Sequence, residues 1–331
     1  MKKISFLLMT LICSMTLFVA CSSDGDDDGW KELTNTYSGE GLTINNAAAT
    51  DNVSVQVTAS NASEITLVLK NYVLNENEVT IKANLTGSGD KYTLSGEDVG
   101  TTRTVKVTGT FSAGVLNLAV ERLVTSSVVA TWNLNKVNGW PEFIFDTPPA
   151  MTEVTDPLKG LIAAQINEAL KSLTVTFQEN GTFKIAYEKT SGEAESWEAM
   201  FPMLNTLEVL NYFVSDPAAG KLSIALDSKM LEYASAIPAM AEKLPQIQEY
   251  LQMFTEAGIL TQWNSYYIIE LNYSVSGSAC KISLALDQAK ISKLLPLISQ
   301  FIPEEQAGLI EAVLPIFQNL TGINIGLGFT K

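Results

Sequence analysis

Between residues 33 and 136, apolar and polar side chains alternate in short runs. Val53, Val55 and Val57 share one parity, and Ile65, Leu67 and Leu69 repeat the pattern. Val79 and Ile81, Tyr92 and Leu94, Val105 and Val107, then Val115, Leu116 and Leu118, and finally Val129 and Trp132 continue it. A period of two predicts strands with one buried face and one wet face. Asn45-Asn46, Asn75-Glu76-Asn77, Gly87-Ser88-Gly89-Asp90 and Ala113-Gly114 supply turn chemistry between the runs. About eight strands at this spacing predict a barrel or a sandwich.

The period then changes. Residues 137–156 form a linker in which Pro141, Pro148 and Pro149 punctuate Trp140, Phe143 and Phe145. These aromatics offer a platform for a sugar ring, although packing between domains accounts for them more simply, since large apolar groups are seldom left in water. Leu158, Leu161, Ile162, Ile166 and Leu170 have helical spacing. Leu173–Phe177 and Phe183–Tyr187 flank Glu179-Asn180-Gly181, which predicts a hairpin with a favoured Asn-Gly turn. An internal repeat follows. Leu210-Asn211-Tyr212 matches Leu271-Asn272-Tyr273, and Lys221–Asp227 matches Lys281–Asp287. Pro238 and Pro245 match Pro296 and Pro303. Each copy predicts a hairpin, an Asp, then a long apolar helix broken by Pro, and Ile323–Phe329 predicts a closing strand. A ββα unit leaves its own sheet face bare, so the copies are expected to join in one antiparallel sheet with helices on one side.

Tyr37-Ser38-Gly39, Lys70-Asn71-Tyr72, Tyr92-Thr93-Leu94-Ser95-Gly96 and Val105-Lys106-Val107-Thr108-Gly109-Thr110 carry a resemblance. The first third of the chain resembles the calycin-like (lipocalin-like) N-terminal domain of uncharacterised Bacteroidetes surface lipoproteins. That likeness implies a small eight-stranded barrel and supplies no ligand or catalytic residue to transfer. The expected fold class is therefore α+β. An all-β calycin-like barrel over 33–136 and the linker 137–156 lead to an α+β repeat domain over 157–331.

The N-terminus carries an address. Lys2 and Lys3 precede an apolar run from Ile4 to Val19, which ends at Ala20-Cys21. A cationic start, an apolar stretch and a small residue before the cut are the requirements of a secretory signal. The run is shorter than the roughly 20 residues that a membrane-spanning helix needs. Residues 1–20 thus read as a lipoprotein signal peptide, with cleavage before Cys21 and lipidation of that residue. More than one acyl chain holds such an anchor stably in a bilayer. Ser22, Ser23, Asp24, Asp26, Asp27 and Asp28 follow, within an acidic tether over 21–32. This stretch resembles the lipoprotein export signal of Bacteroidetes, which implies display on the outer membrane, facing the cell exterior. The same letters open like a calcium loop, but position twelve is Asn35 where a bidentate Glu is required.

Composition then narrows the chemistry. Loss of the signal removes Lys2, Lys3 and no acidic residue, taking the formal net charge from −15 to −17. An acidic chain without a basic stripe argues against nucleic acid and against anionic membrane surfaces. There is no histidine, which excludes Ser-His-Asp triads, Cys-His pairs and His-containing zinc sites. Cys13 leaves with the signal and Cys21 takes lipid, so Cys280, in an alternating strand pattern, is expected to be a buried, inert thiol.

The candidate carboxylates have plain readings. Asp227 and Asp287 recur where a strand hands over to a helix, the place of a helix cap. Glu193, Glu195 and Glu198 could offer an acid/base pair, yet neighbours on a Ser/Gly-rich stretch read as a solvated run. Ser88-x-x-Lys91 and Ser278-x-x-Lys281 fall in hairpin turns, where the penicillin-recognising spelling has no helix to open. The 229–257 stretch carries Met230, Leu231, Ala234, Ile237, Met240 and Leu244, which could line an apolar ligand cavity or simply form core. The expected role is non-catalytic binding or scaffolding at the cell surface, for an apolar or glycan-derived ligand, without cofactor or metal. The alternatives are a His-independent hydrolase using paired carboxylates and a subunit of a surface assembly.

Overall fold

The computed structural model describes residues 28–136, 140–147, 152–190, 208–301 and 315–331. Two curled sheets carry the fold. The first comprises β1 (Asn35–Ser38), β2 (Leu42–Ile44), β3 (Ala47–Ala48), β4 (Ser54–Asn61), β5 (Glu64–Lys70), β6 (Glu78–Ser88), β7 (Lys91–Val99), β8 (Arg103–Ser112) and β9 (Val115–Val124). Its order is β1-β4-β5-β6-β7-β8-β9-β2-β3. The alternation read from the sequence is what curls it. Val55, Leu67, Ile81, Leu94, Val107 and Leu116 all turn inward and are buried in one continuous aliphatic core. Polar neighbours on the same strands face water, so only one register buries the apolar set.

Both ends of this sheet come from one stretch of chain. β1 pairs antiparallel with β4, while β2 runs parallel to β9. A 3-10 turn at Gly39–Gly41 separates them. Two glycines allow tight curvature in the middle of the sheet. A Cβ on Gly96 would lie 2.4 Å from the Lys82 carbonyl oxygen, and one on Gly109 2.4 Å from that of Asn117. Glycine inside a strand marks such close backbone approaches.

The second sheet has ten strands. They are β10 (Ala130–Leu134), β11 (Glu142–Asp146), β12 (Leu170–Phe177), β13 (Phe183–Lys189), β14 (Leu210–Asp216), β15 (Lys221–Asp227), β16 (Leu260–Trp263), β17 (Tyr266–Ser276), β18 (Ala279–Asp287) and β19 (Gly322–Thr330). The main path is β13-β12-β10-β19-β18-β17-β15-β14, with β11 on β19 and β16 on β17. The path bends until its ends meet. Thr182 bridges Asn211, and the Tyr212 N–H donates to the Gly181 carbonyl at 2.9 Å. The core beneath is aromatic. Trp132 is fully buried and its indole N–H donates to the Val128 carbonyl at 2.8 Å. Phe177 packs at 4.9 Å between ring centroids against both Phe183 and Tyr212.

These observations overturn the expected α+β architecture. Among the described residues strand makes up 54% and helix 22%, and no layer of long helices lies on one sheet face. The repeated hairpins exist as β14–β15 and β17–β18. The helix expected over 158–170 is present as α1 (Thr152–Ala169), ahead of β12, whereas the helical stretch after the first repeated hairpin is broken into α2 (Lys229–Ser235), α3 (Pro238–Ala241) and α4 (Leu244–Glu256). Pro238 and Pro245 each fall in the first turn of a new piece, because proline lacks the N–H needed to continue the piece before it. Nor do ββα copies stack in sequence, since β10, β11 and β19 pair into the same sheet from distant parts of the chain. The first unit, likewise, is a nine-stranded curled half-barrel rather than an eight-stranded barrel. The Gly39–Gly41 turn splits its opening segment between two edges. Ala130–Leu134, grouped with the first unit by its alternation, pairs with β12 and β19 of the second. Among the described residues no helix is long and apolar enough to cross a membrane.

Candidate functional site

β9 ends the first sheet and delivers the residue around which the two units meet. Leu116, Leu118, Val120 and Arg122 share one face of β9, so Arg122 takes an inward position where an apolar residue is expected. Its Nη2 donates to the Tyr212 carbonyl at 3.0 Å and to the Gly181 carbonyl at 3.3 Å. These are the two residues at the seam of the second sheet. Gly181 is required there twice over. Its φ is +79°, and a Cβ would fall 1.9 Å from Arg122 Nη2. Two residues on, the Val124 N–H donates to the Glu179 carbonyl at 2.7 Å. The end of β9 is thus stitched to the Asn180-Gly181 hairpin turn.

Beside this junction lies a cleft of about 620 Å³ between the two units. The first unit contributes Asn45, Asn71 and Tyr72, and the second Asn211, Trp263 and Tyr266. Asn45 and Asn46, at φ +51° and +65°, turn the chain between β2 and β3. The Asn45 side chain then imitates a strand. It accepts from the Val120 N–H at 2.8 Å, donates to the Val120 carbonyl at 3.0 Å and reaches the Tyr72 hydroxyl at 2.9 Å. Across the cleft, Asn264 Nδ2 donates to the Asn71 carbonyl at 3.4 Å. Both residues hold positive φ, which asparagine tolerates better than most. The Trp263 and Tyr266 rings lie 6.2 Å apart, tilted by 33°.

Electrostatics follow from burial. Burial pushes the Tyr266 hydroxyl up to about 12, helped by the charge of Asp227 facing it across β15 and β17. Burial also raises Tyr72, against the opposing hydrogen bond from Asn45. It lowers Arg122, whose hydrogen bonds go to carbonyl oxygens. The contrast with Arg103 on β8 is sharp. Arg103 binds Glu76 through Nε at 2.7 Å and Nη2 at 2.5 Å, and binds Asp98 through Nη1.

Of the residues expected to matter, Asp227 lines this cleft and stands one residue ahead of the N-cap Ser228, its Oδ1 accepting from the Lys229 N–H at 3.0 Å. Asp287 caps α5 (Gln288–Phe301) through the Lys290 N–H at 2.9 Å. Ser88 and Lys91 face each other in the β6–β7 hairpin, and Ser278 sits in the β17–β18 turn. Cys280 is buried, and burial pushes its thiol up to about 11. Phe145 is buried and Phe143 packs beside it, while Gly326 and Gly328 lie under the Trp140 ring. These contacts are those of packing rather than of an open platform. The apolar residues of α2 and α3 also pack, with Ala234 and Met240 buried against Ile237 and Leu244. Asp28 opens a short 3-10 helix. Cys21, Ser22, Ser23, Asp24, Asp26 and Asp27, and Glu193, Glu195 and Glu198, lie outside the described residues. Among the described residues no three His, Cys, Asp or Glu side chains cluster as metal ligands. Comparison of the chain with protein-family models, with curated proteins and with solved structures finds no match in any of the three.

Sequence reading passed over Arg122, Tyr72 and the 263–266 turn. One signal was available, a cation at an inward parity position of β9 after Leu116 and Leu118. The others become a site only when distant turns meet.

Proposed function

We propose that this chain is a lipid-anchored surface protein of the outer membrane, held through acylated Cys21, whose role is to bind a glycan-derived ligand in the cleft between its two units. The carrying observation is the cleft's lining of asparagine carboxamides set beside Trp263, Tyr72 and Tyr266. A carboxamide offers donors and acceptors together, which suits sugar hydroxyls. An aromatic face covers the apolar face of a sugar ring, and a few placed polar groups fix orientation in a concave site. The anchor rests on the sequence of residues 1–28 and on the likeness to Bacteroidetes lipoproteins.

Titration calorimetry of the mature chain against a panel of neutral and acidic oligosaccharides tests the cleft. Binding is expected, with a loss of about tenfold or more in Trp263→Ala, the scale of an aromatic contact that buries a ring face. Absence of binding across the panel, or full affinity in Trp263→Ala, rejects the reading. The anchor is tested by labelled fatty-acid incorporation in the native host, which Cys21→Ala should abolish.

A further inference from the structure

Arg122 carries more than the joint. A cation set into a protein is costly unless it is paired. The neighbouring Arg103 meets that cost with two carboxylates. Arg122 has only the two carbonyl oxygens of the seam, and both are served by Nη2. Nε and Nη1 have no hydrogen-bond or ion-pair partner among the described residues. Nη2, Cζ and Nε are the atoms nearest a Cβ placed on Gly181, so Nη1 is the nitrogen turned furthest from that contact. Arg122 therefore completes the seam with one nitrogen and keeps donors in reserve.

The guanidinium borders two cavities. The smaller, of about 320 Å³, is also lined by Arg103 and Glu76, which are already paired with each other, and it lacks the Trp263 and Tyr266 rings. The larger is the interdomain cleft, where Lys229 adds a second cation. Two carboxylates share that lining. Asp227 accepts from the Lys229 N–H yet keeps its charge, and Glu208 is exposed, so the formal charges of the lining balance and an anion would be selected by the placed donors of Arg122 rather than by net charge. The Trp263 and Tyr266 rings complete the wall.

We infer that the ligand of this cleft is an acidic saccharide, and that Arg122 binds its carboxylate from the cleft side. The inference rests on the glycan reading above and narrows it to sugars bearing a carboxylate, such as uronic acids. Charge-assisted hydrogen bonds from a guanidinium are the strongest the site has to offer. In a chain of net charge −15, selecting an anion requires such a local cation rather than the overall field.

The test uses the unaltered mature chain first. Oligogalacturonate and hyaluronan oligosaccharides are titrated beside their methyl esters, which keep the sugar rings and remove the charge. The free acid is expected to bind at least about tenfold more tightly, the scale of one charge-assisted hydrogen bond, with the difference shrinking as salt rises. Arg122→Lys keeps a cation but loses the fork, and should erase most of that preference while binding to the ester persists. Circular dichroism and a thermal melt show that this variant is folded. Equal affinity for acid and ester overturns the inference and leaves the glycan reading standing. Failure of every saccharide to bind overturns both.

Discussion

The two sheets both curl, but they are held closed by different means. In the first, residues 35–48 supply the edge strand β1 on β4 at one end and the pair β2 and β3 beyond β9 at the other, so the ends of the sheet belong to one segment. In the second, the ends come from 183–189 and 210–216 and meet through a bridge at Thr182 and Asn211. That seam takes an arginine from the first unit for its completion. Their cores differ in parallel. The first is mainly aliphatic side chains at alternating positions, with Tyr37, Tyr92 and Phe111 among them, and the second is built round Trp132, Phe177 and Tyr212. The alternation read from the sequence begins at Val53, past the segment that closes the first sheet, and the arginine that completes the second seam is a distant side chain, so neither closure was legible in the sequence.

The strongest way to break the comparison is at the aromatic core. Trp132→Ala should cost about 3–5 kcal/mol, the range for deleting a buried large aromatic. Denaturant unfolding followed by far-UV circular dichroism checks it. If the units melt separately, a first transition belonging to the second sheet should emerge and the aliphatic unit should persist. A single shifted transition would show instead that the Arg122 junction couples them.

Next in size is the seam. Gly181→Ala places a methyl group on the Arg122 guanidinium at a residue of φ +79° and should cost about 2 kcal/mol. Gly89→Ala is the control in the first unit. Its φ is +63° with open space around it, so only backbone strain of about 1 kcal/mol is expected. Equal losses in the two variants would show that the seam adds nothing.

The caps should each be worth about 1 kcal/mol. Asp287→Ala removes the acceptor for the Lys290 N–H at the start of α5. Asp287→Asn, which keeps an acceptor oxygen, should recover most of the loss in a thermal melt.

The smallest effect is nil at neutral pH and grows in alkali. Tyr266 titrates near 10 when unfolded and is pushed up to about 12 when folded. Its neutral form is therefore favoured by folding, and that stability is complete below pH 10 and lost as pH rises towards 12. The melting temperature should fall across this window, and Tyr266→Phe should flatten the fall. An unchanged slope would place the alkaline loss on other groups, among them Cys280, raised to about 11 in the same sheet.

How legible each part was follows from the range of its causes. Val55, Leu67, Ile81 and Leu116 announce their faces through immediate neighbours, so β4 to β9 could be read strand by strand, while the short β1, β2 and β3 could not. Asn180-Gly181 also declared its hairpin locally. Val129 and Trp132 showed alternation, but alternation does not say which sheet a strand joins, and β10 joined the second. The repeated hairpins were visible, yet helical spacing in 229–257 suggested a layer where prolines leave three pieces. The cleft was hidden because Asn71 and Asn264 stand 193 residues apart in the chain.

β19 has a consequence in time. It sits inside the second sheet, between β10 and β18, yet it is made from residues 322–330. During synthesis the first sheet has all its strands once residue 124 has emerged. The second must wait until residue 330, with the edges of β10 and β18 unpaired and open to wrong partners. One half of the molecule has all its strands early, and the other is completed only by its last strand.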